Sequence, residues 1–249
     1  GQPVVVENRP GSGTLVGTEA AAKAERDGYT LLLGALANLA LNPGLYKSLP
    51  YDPKRDFVPI GLAVSFPYTL VARKDLPQNS LKELVDYARA NPGKLNYASA
   101  GNGTSHHLAG ELFKLQTKTF ITHIPYRGAG PALQDLVAGQ VDMMFDGLGS
   151  SATHIKSGRI RAIAVAHNKP APGFAEVPLA KAGGAPNYEV ATWYGLWAPK
   201  GTPRELVTAM QNELRKALNS DEMKAAWTGL GTETPNLWGD DYGRFVSAE

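Results

Sequence analysis

Short continuous apolar segments alternate along the chain with longer segments in which apolar residues recur every three or four positions. This alternation predicts strands that alternate with helices, and therefore an α/β fold built from parallel βαβ units. The predicted strands are residues 4–7, 29–33, 68–72, 95–99, 121–124, 141–145 and 160–166. The predicted helices are residues 16–24, 36–41, 81–90, 104–116 and a long helix after Thr202, with two shorter helices behind it.

Helix-terminating signals set several of these boundaries. Ser80 and Glu83 have the spacing of a capping box, in which a hydroxyl and a carboxylate satisfy free amide groups reciprocally. Thr202 is predicted to cap the long helix that follows it, and Asn42-Pro43-Gly44 is predicted to end a short helix. In the 104–116 helix, Leu108, Leu112 and Leu115 have the spacing of a buried stripe.

Two extended apolar segments, residues 68–73 and 192–199, lie roughly at the thirds of the chain. We interpret them as the two crossing strands of a hinge. The first lobe would then combine residues 1–70 with 195–249, and the second lobe would comprise residues 71–194. A single contiguous sheet is the alternative.

Composition narrows the class of protein. The 249 residues carry 43% hydrophobic and 19% charged residues, which is typical of a globular protein. The formal net charge is +2 with both signs interspersed, so the sequence offers no basic stripe for a nucleic acid. Cysteine is absent, which excludes disulfides, thiol nucleophiles and Cys-ligated metals.

The most informative pattern is a strand, a glycine-containing turn and a helix start. It occurs at Leu33-Gly34, at residues 99–104 and at residues 126–131. Helix N-termini present free N–H groups and a partial positive charge, and glycine allows a ligand to approach the backbone closely. Three such junctions favour an anion site, although each one alone is more often a tight βα turn.

Motifs of established catalytic chemistry are not found. The segment from Gly11 to Gly17 is one residue too long for a dinucleotide loop, and no nucleophile elbow, phosphate loop or H-E-x-x-H helix exists. His107 and Glu111 are expected to form a surface contact rather than a metal site. His106, just after a glycine loop, is a candidate ligand contact.

Acidic and aromatic residues leave further alternatives open. Asp146 ends a strand and either faces the cleft as a hydrogen-bond acceptor or caps the next segment, whereas Asp142 is expected at an exposed strand edge. Trp193, Tyr194 and Trp197 are interpreted as core, with one of them possible in the cleft wall.

Seven segments together resemble one known family. They are VVVENRPGSG (4–13), DGYTLLLG (27–34), YASAGNGT (97–104), HLAGELF (107–113), PYRGAGPAL (125–133), GQVDMMFD (139–146) and WYGLWAP (193–199). In this order they are similar to the Bug (TctC-like) receptors of tripartite tricarboxylate transporters, and the similarity extends over essentially the whole chain.

The resemblance implies a two-lobe periplasmic-binding-protein-like fold with two crossing hinge strands, and a periplasmic location. It implies a small organic carboxylate as ligand, membrane transporter subunits as partners, and no cofactor, metal or nucleic acid. We also expect a monomer. The implied ligand-binding residues are Gly34, Ala35, Asn38, Ser99, Ala100, Gly101, Asn102, Gly103, Thr104, Ser105, Tyr126, Gly128 and Asp146, and we add His106 because of its position just after the glycine loop.

One departure from the family concerns the start of the chain. Family members have a strand and a Pro-Ala-Gly-Gly-like loop before the segment that corresponds to residues 4–8. We therefore expect the first lobe of this chain to lack a central strand and one binding loop. The competing functional hypothesis is an enzyme acting on a small carboxylate, for which His106 and Asp146 would be the titratable candidates.

Overall fold

A computed structural model describes residues 3–249 as a mixed α/β structure. In this part of the chain, seven strands form one sheet. The strands are β1 (Leu32–Ala35), β2 (Phe57–Arg73), β3 (Asn96–Ser99), β4 (Thr122–Pro125), β5 (Met143–Gly147), β6 (Ile160–Val165) and β7 (Ala191–Pro199).

Helices surround the sheet. They are α1 (Leu15–Ala22), α2 (Asn42–Leu45), α3 (Pro53–Asp56), α4 (Leu81–Ala90), α5 (Ser105–Thr117), α6 (Ala129–Val137), α7 (Leu148–Lys156), α8 (Arg204–Leu218), α9 (Asp221–Gly229) and α10 (Gly239–Ala248). Short 3₁₀ turns cover Ser12–Thr14 and Ala180–Gly183, and a π-helical turn covers Ala37–Leu41. Within residues 3–249, none of the helices has the length and apolar character needed to span a membrane.

The long strand β2 is shared by two halves of the sheet. Residues 57–67 of β2 pair with β7, which in turn pairs with β1; these strands and their helices are called the first half. Residues 68–73 pair with β5 and β6, and β5 continues into the parallel strands β3 and β4; these strands are called the second half.

The chain passes between the halves at two adjacent places. One is Pro67–Tyr68 within β2, and the other is Val190–Ala191 just before β7. The Tyr68 amide donates to the Val190 carbonyl over 2.8 Å. Ala166 links the two crossings, since its amide donates to the Tyr68 carbonyl over 2.7 Å and its carbonyl accepts from the Val190 amide over 3.0 Å. These backbone bonds hold the two crossings side by side.

Each half has apolar residues on both faces of its sheet. In β5, Phe145 points to the cluster with Tyr97 and Phe113, whereas Met144 points to the opposite cluster with Leu136. This two-residue alternation follows from strand geometry, and both faces are covered by helices. In the first half Trp193 and Trp197 are buried, as predicted.

Several predicted strand boundaries are wrong. Residues 4–7 have no regular structure, and Val4, Val5 and Val6 are 80–89% exposed because no neighbouring strand pairs with them among the described residues. The strand predicted at 29–33 lies at Leu32–Ala35, and Gly34 is inside it opposite Gly195. The strand predicted at 68–72 is the end of one longer strand that begins at Phe57, because pairing with β7 extends as far as Pro67 and pairing with β5 starts at Tyr68.

Helix predictions were more accurate, with three exceptions. Pro43 lies in the first turn of α2 rather than ending a helix, a position where its missing N–H costs nothing. The α5 stripe was misplaced: Ala109 and Phe113 are buried, whereas Leu115 is 76% exposed. Thr202 donates to the Pro199 carbonyl instead of capping α8. The predicted Ser80 cap of α4 is confirmed, since its hydroxyl accepts from the Glu83 amide.

Candidate functional site

A cavity of about 950 Å³ lies between the loops of the first half and those of the second half. Its size is at the upper end of the range for small-molecule pockets. The first half contributes residues 11–14, Ala35, Asn38, Tyr46 and Tyr194, and the second half contributes Ala100, Gly101, Asn102, Thr104 and residues 125–128. An apolar extension is lined by Val5, Val6, Ala20, Ala21, Ala24 and residues 31–33.

The loop between β3 and α5 forms one wall. Gly101 has φ +128 and Gly103 has φ +76, conformations that residues with a side chain rarely adopt. The Thr104 hydroxyl donates to the Gly101 carbonyl over 2.6 Å and caps α5 by accepting from the His107 amide. These contacts stabilise a loop conformation that brings backbone groups to the cavity.

The loop before α6 forms the adjacent wall. Gly128 is the N-cap of α6 and lines the cavity, and it supplies no side-chain oxygen to the first amides of the helix. These amides and the positive end of the helix dipole therefore favour an anion at this wall. Tyr126 donates its hydroxyl to Asp135 over 2.7 Å; burial, together with this bond, raises the pKa of Tyr126 to about 12.

The facing wall belongs to the first half. Asn38 is buried, accepts from the Ala35 amide over 2.7 Å and donates to the Thr18 hydroxyl over 2.8 Å. Asn42 donates to the Gly13 carbonyl over 3.2 Å, and this bond stabilises the 11–14 turn. The two side-chain amides thus act mainly as supports for backbone that faces the cavity.

The charged side chains of the cavity wall include more cations than anions. The charged residues that line it are Glu7, Arg9 and Arg127. Arg9 and Glu7 form a two-contact ion pair of 2.8 and 3.0 Å, so their charges offset one another. Arg127 makes no ion pair or side-chain hydrogen bond with any residue of the described chain. Arg127 directly precedes Gly128, the N-cap of α6.

Tyr194 adds a donor from β7. Burial, with a contribution from the nearby Asp146 charge, raises the pKa of Tyr194. Its hydroxyl therefore stays protonated at neutral pH, and the residue lines the cavity.

The predicted binding residues are only partly brought together. Ala35, Asn38, Ala100, Gly101, Asn102, Thr104, Tyr126 and Gly128 line the cavity, whereas Gly34, Ser99, Gly103, Ser105, His106 and Asp146 do not. Gly34 is buried where an added Cβ would meet Trp197 at 2.8 Å. Ser99 and Ser105 are buried, in the last position of β3 and the first position of α5.

His106 and Asp146 lie beneath the cavity wall and contact each other. His106 Nε2 is 3.1 Å from Asp146 Oδ1, and the Ser150 hydroxyl donates to Asp146 Oδ2 over 2.7 Å. Asp146 is completely buried and His106 is 7% exposed. The nearby Asp142 is not an exposed edge residue either, since it accepts from Arg73 and from the Asn96 amide. These acids hold strands and helices together.

Sequence reasoning missed Tyr46 and Arg127, and it treated Tyr194 as core. Arg127 stands inside one of the glycine junctions, so its position in the chain was the available signal. No feature of the sequence around Tyr46 indicates its role, because its hydroxyl lies beside Gly13 and Gly103 only once the chain has folded. Among residues 3–249 the structure has no group of three or more His, Asp and Glu side chains that could hold a metal ion.

Comparison with known proteins gives a consistent picture. The family model of the tripartite tricarboxylate transporter family receptor matches residues 1–249. The structure of the periplasmic binding protein BugD is 36% identical with a TM-score of 0.92, and the alignment covers 98% of this chain and 82% of BugD.

Two further solved structures carry a bound acid. Rpa4515 of R. palustris with adipate is 35% identical, with a TM-score of 0.94 and coverage of 98% of this chain and 82% of that one. MatC (Rpa3494) of Rhodopseudomonas palustris with bound malate is 32% identical, with a TM-score of 0.90 and coverage of 96% and 82%.

Proposed function

The chain belongs to the tripartite tricarboxylate transporter receptor family, a family of solute-binding proteins, and we propose that it captures a small dicarboxylate in the cavity between its two halves. The observation that carries this proposal is Arg127, which has no ion-pair partner among the described residues, lines the cavity and directly precedes the N-cap of α6, a helix start without a side-chain cap. Together they form a site for one carboxylate.

A second carboxylate position is supported by the β3–α5 loop and by residues of the first half. Gly101 and Asn102 bring backbone to the wall, and the 11–14 turn and Tyr194 line the same cavity from the first half. With the Glu7–Arg9 pair internally neutral, the net charge of the lining favours anions. The relatives point the same way: Rpa4515 was solved with adipate and MatC with malate, and both ligands are diacids.

Ligand capture would proceed by closure of two lobes. We place the lobe boundaries at the two crossings of the sheet, which gives residues 1–67 with 191–249 and residues 68–190. These limits lie three to four residues before those predicted from the sequence, because pairing changes partner at Pro67–Tyr68 and Val190–Ala191. The closed state binds the acid more tightly than the open state, and this difference drives closure.

The proposal includes delivery of the bound acid to a membrane transporter in the periplasm, by a receptor that acts as a monomer. It includes no catalytic step. The enzyme hypothesis depended on His106 and Asp146. These two side chains are buried, contact each other and do not line the cavity.

A thermal-shift and calorimetry panel tests the proposal. The ligands are malate and adipate, with the monoacid hexanoate and the diamide adipamide as matched controls. A ligand at 100 times its Kd should add about 2.7 kcal/mol to the free energy of unfolding. We expect a shift with at least one diacid, a smaller one with hexanoate and none with adipamide. Equal shifts with adipate and adipamide, or no shift with any acid, would contradict a carboxylate site.

A further inference from the structure

Behind the β3–α5 loop, on the side away from the cavity, two histidines form a stacked pair. His107 of α5 and His123 of β4 have ring centroids 4.2 Å apart and an interplanar angle of 16°. Neither side chain lines the cavity, yet each is hydrogen-bonded to a group that supports the loop.

The first of these bonds fixes the protonation state of His107. The Gly103 amide donates to His107 Nδ1 over 3.2 Å, so Nδ1 carries no proton and the neutral ring is protonated at Nε2. A proton on Nδ1 would place two donors against each other and remove the bond. Burial lowers the pKa of His107, which favours the neutral ring at neutral pH.

The same bond orients a peptide that reaches the other half of the sheet. In a trans peptide the N–H and the preceding C=O point in opposite directions. With the Gly103 N–H directed at His107, the Asn102 carbonyl faces Gly13, where an added Cβ would lie 2.7 Å from the oxygen. The Tyr46 hydroxyl fills the same junction, 3.1 Å from a Cβ built on Gly103.

His123 supports the loop at a second point. Its Nε2 lies 2.6 Å from the Ser99 hydroxyl, and this hydroxyl accepts from the Gly101 amide over 3.1 Å. Burial lowers the pKa of His123 to about 4, so this ring is also neutral at neutral pH. Two charged imidazoles at the observed stacking distance would repel each other.

The charged groups around the pair come from three elements. On α5, Glu111 Oε1 is 3.9 Å from His107 Nε2 and accepts from Lys114 over 2.7 Å. On β3, the Tyr97 hydroxyl donates to the same Glu111 oxygen over 2.7 Å, and its ring stacks on His123 at 4.9 Å. On β4 the group is His123 itself. Glu111 is thus already partnered twice.

We propose that His107, backed by His123, is a positioning residue for ligand capture: its neutral ring orients the Asn102–Gly103 peptide, and this orientation sets the contact with Gly13 that closes the cavity. The inference rests on the proposed function. Acid pH would protonate His107, release the peptide and weaken ligand binding.

The test compares wild type with His107→Asn and His107→Ala, using malate and adipate as probes in calorimetry. Asparagine keeps an acceptor near the Nδ1 position but cannot be protonated. At pH 7.5 we expect wild type and His107→Asn to bind alike, and His107→Ala to bind roughly three- to tenfold more weakly, the range for one neutral hydrogen bond. Equal affinity of wild type and His107→Ala would overturn the proposal.

The pH profile gives a readout that a merely structural role would not change. From pH 7.5 to 4.5, protonation of the acid itself weakens binding equally in both proteins, so the ratio of wild-type to His107→Asn affinity isolates the histidine. We expect wild type to lose affinity more steeply than His107→Asn. Parallel profiles would contradict a role for His107 protonation.

An NMR measurement on the ligand-free protein separates this inference from the proposed function. The imidazole nitrogens of His107 should report the Nε2–H tautomer, and the Gly103 amide should shift in His107→Ala and recover in His107→Asn. If neither acid binds wild type, the proposed function fails while these signals still decide whether His107 orients the peptide. An unprotonated Nε2, or an unchanged Gly103 amide, would overturn the inference.

Discussion

Replacement of Arg127 by glutamine removes the free cation of the cavity wall while keeping much of the side-chain length. Arg127 is exposed, contacts no acid within residues 3–249 and follows Tyr126 directly. The substitution therefore breaks no ion pair and leaves no buried charge behind. We expect the fold and the melting temperature of the ligand-free protein to be unchanged.

The expected loss of affinity follows from one charge-assisted contact. Such a hydrogen bond contributes about 1.5–3 kcal/mol, and the exposure of Arg127 favours the lower limit because solvent screens its charge. At about 1.4 kcal/mol per factor of ten, the Kd for a diacid should rise roughly tenfold. Because this position accepts one carboxylate, the Kd of a monoacid that binds there should rise by a similar factor.

Calorimetry with adipate and hexanoate at low and at physiological salt measures these losses of affinity. Arg159→Gln is the matched control: Arg159 is exposed, lies outside the cavity, and its Nε contacts only Ser157 over 3.1 Å. The control changes the net charge by the same amount, so any general electrostatic effect on anion binding appears in both variants and weakens with salt.

Two results would refute the reasoning about Arg127. Equal weakening by Arg127→Gln and Arg159→Gln would show that only the net charge matters. An unchanged Kd of adipate in Arg127→Gln would show that Arg127 does not contact a carboxylate of the ligand.

Three further predictions concern closure, helix capping and pH. Gly13→Ala should weaken ligand binding measurably by calorimetry, because its Cβ would lie 2.7 Å from the Asn102 carbonyl; Gly44→Ala, where the added Cβ meets nothing within 4 Å, should not. Ser80→Ala should lower the free energy of unfolding by about 0.5–2 kcal/mol in urea titrations without changing ligand affinity, and unchanged stability would contradict the cap. Because the folded-state pKa of His123 is lowered to about 4, its neutral form contributes stability that is complete above pH 6.5 and is lost as pH falls toward 4. In His123→Gln the unfolding free energy should therefore decline less steeply over that window, and identical slopes would contradict the assignment.

Local sequence signals determined much of the architecture and part of the site. The Ser80 cap, the alternation of strands with helices and the glycine junctions at 99–104 and 126–131 depend on interactions within a few residues, so they can be identified without the fold. The cavity walls at Ala100–Asn102 and Tyr126–Gly128 follow directly from those junctions.

Burial and long-range pairing could be decided only by the tertiary structure. Whether Asp146 faces the cleft or His106 depends on how α5 packs on β5, and nothing near Asp146 in the chain encodes this contact. The exposure of residues 4–7 and the continuity of β2 across Pro67 likewise depend on which strand lies alongside. A residue's neighbours in the chain set its local conformation, whereas its exposure and its partners depend on segments far away in the sequence, such as Gly13 opposite Asn102.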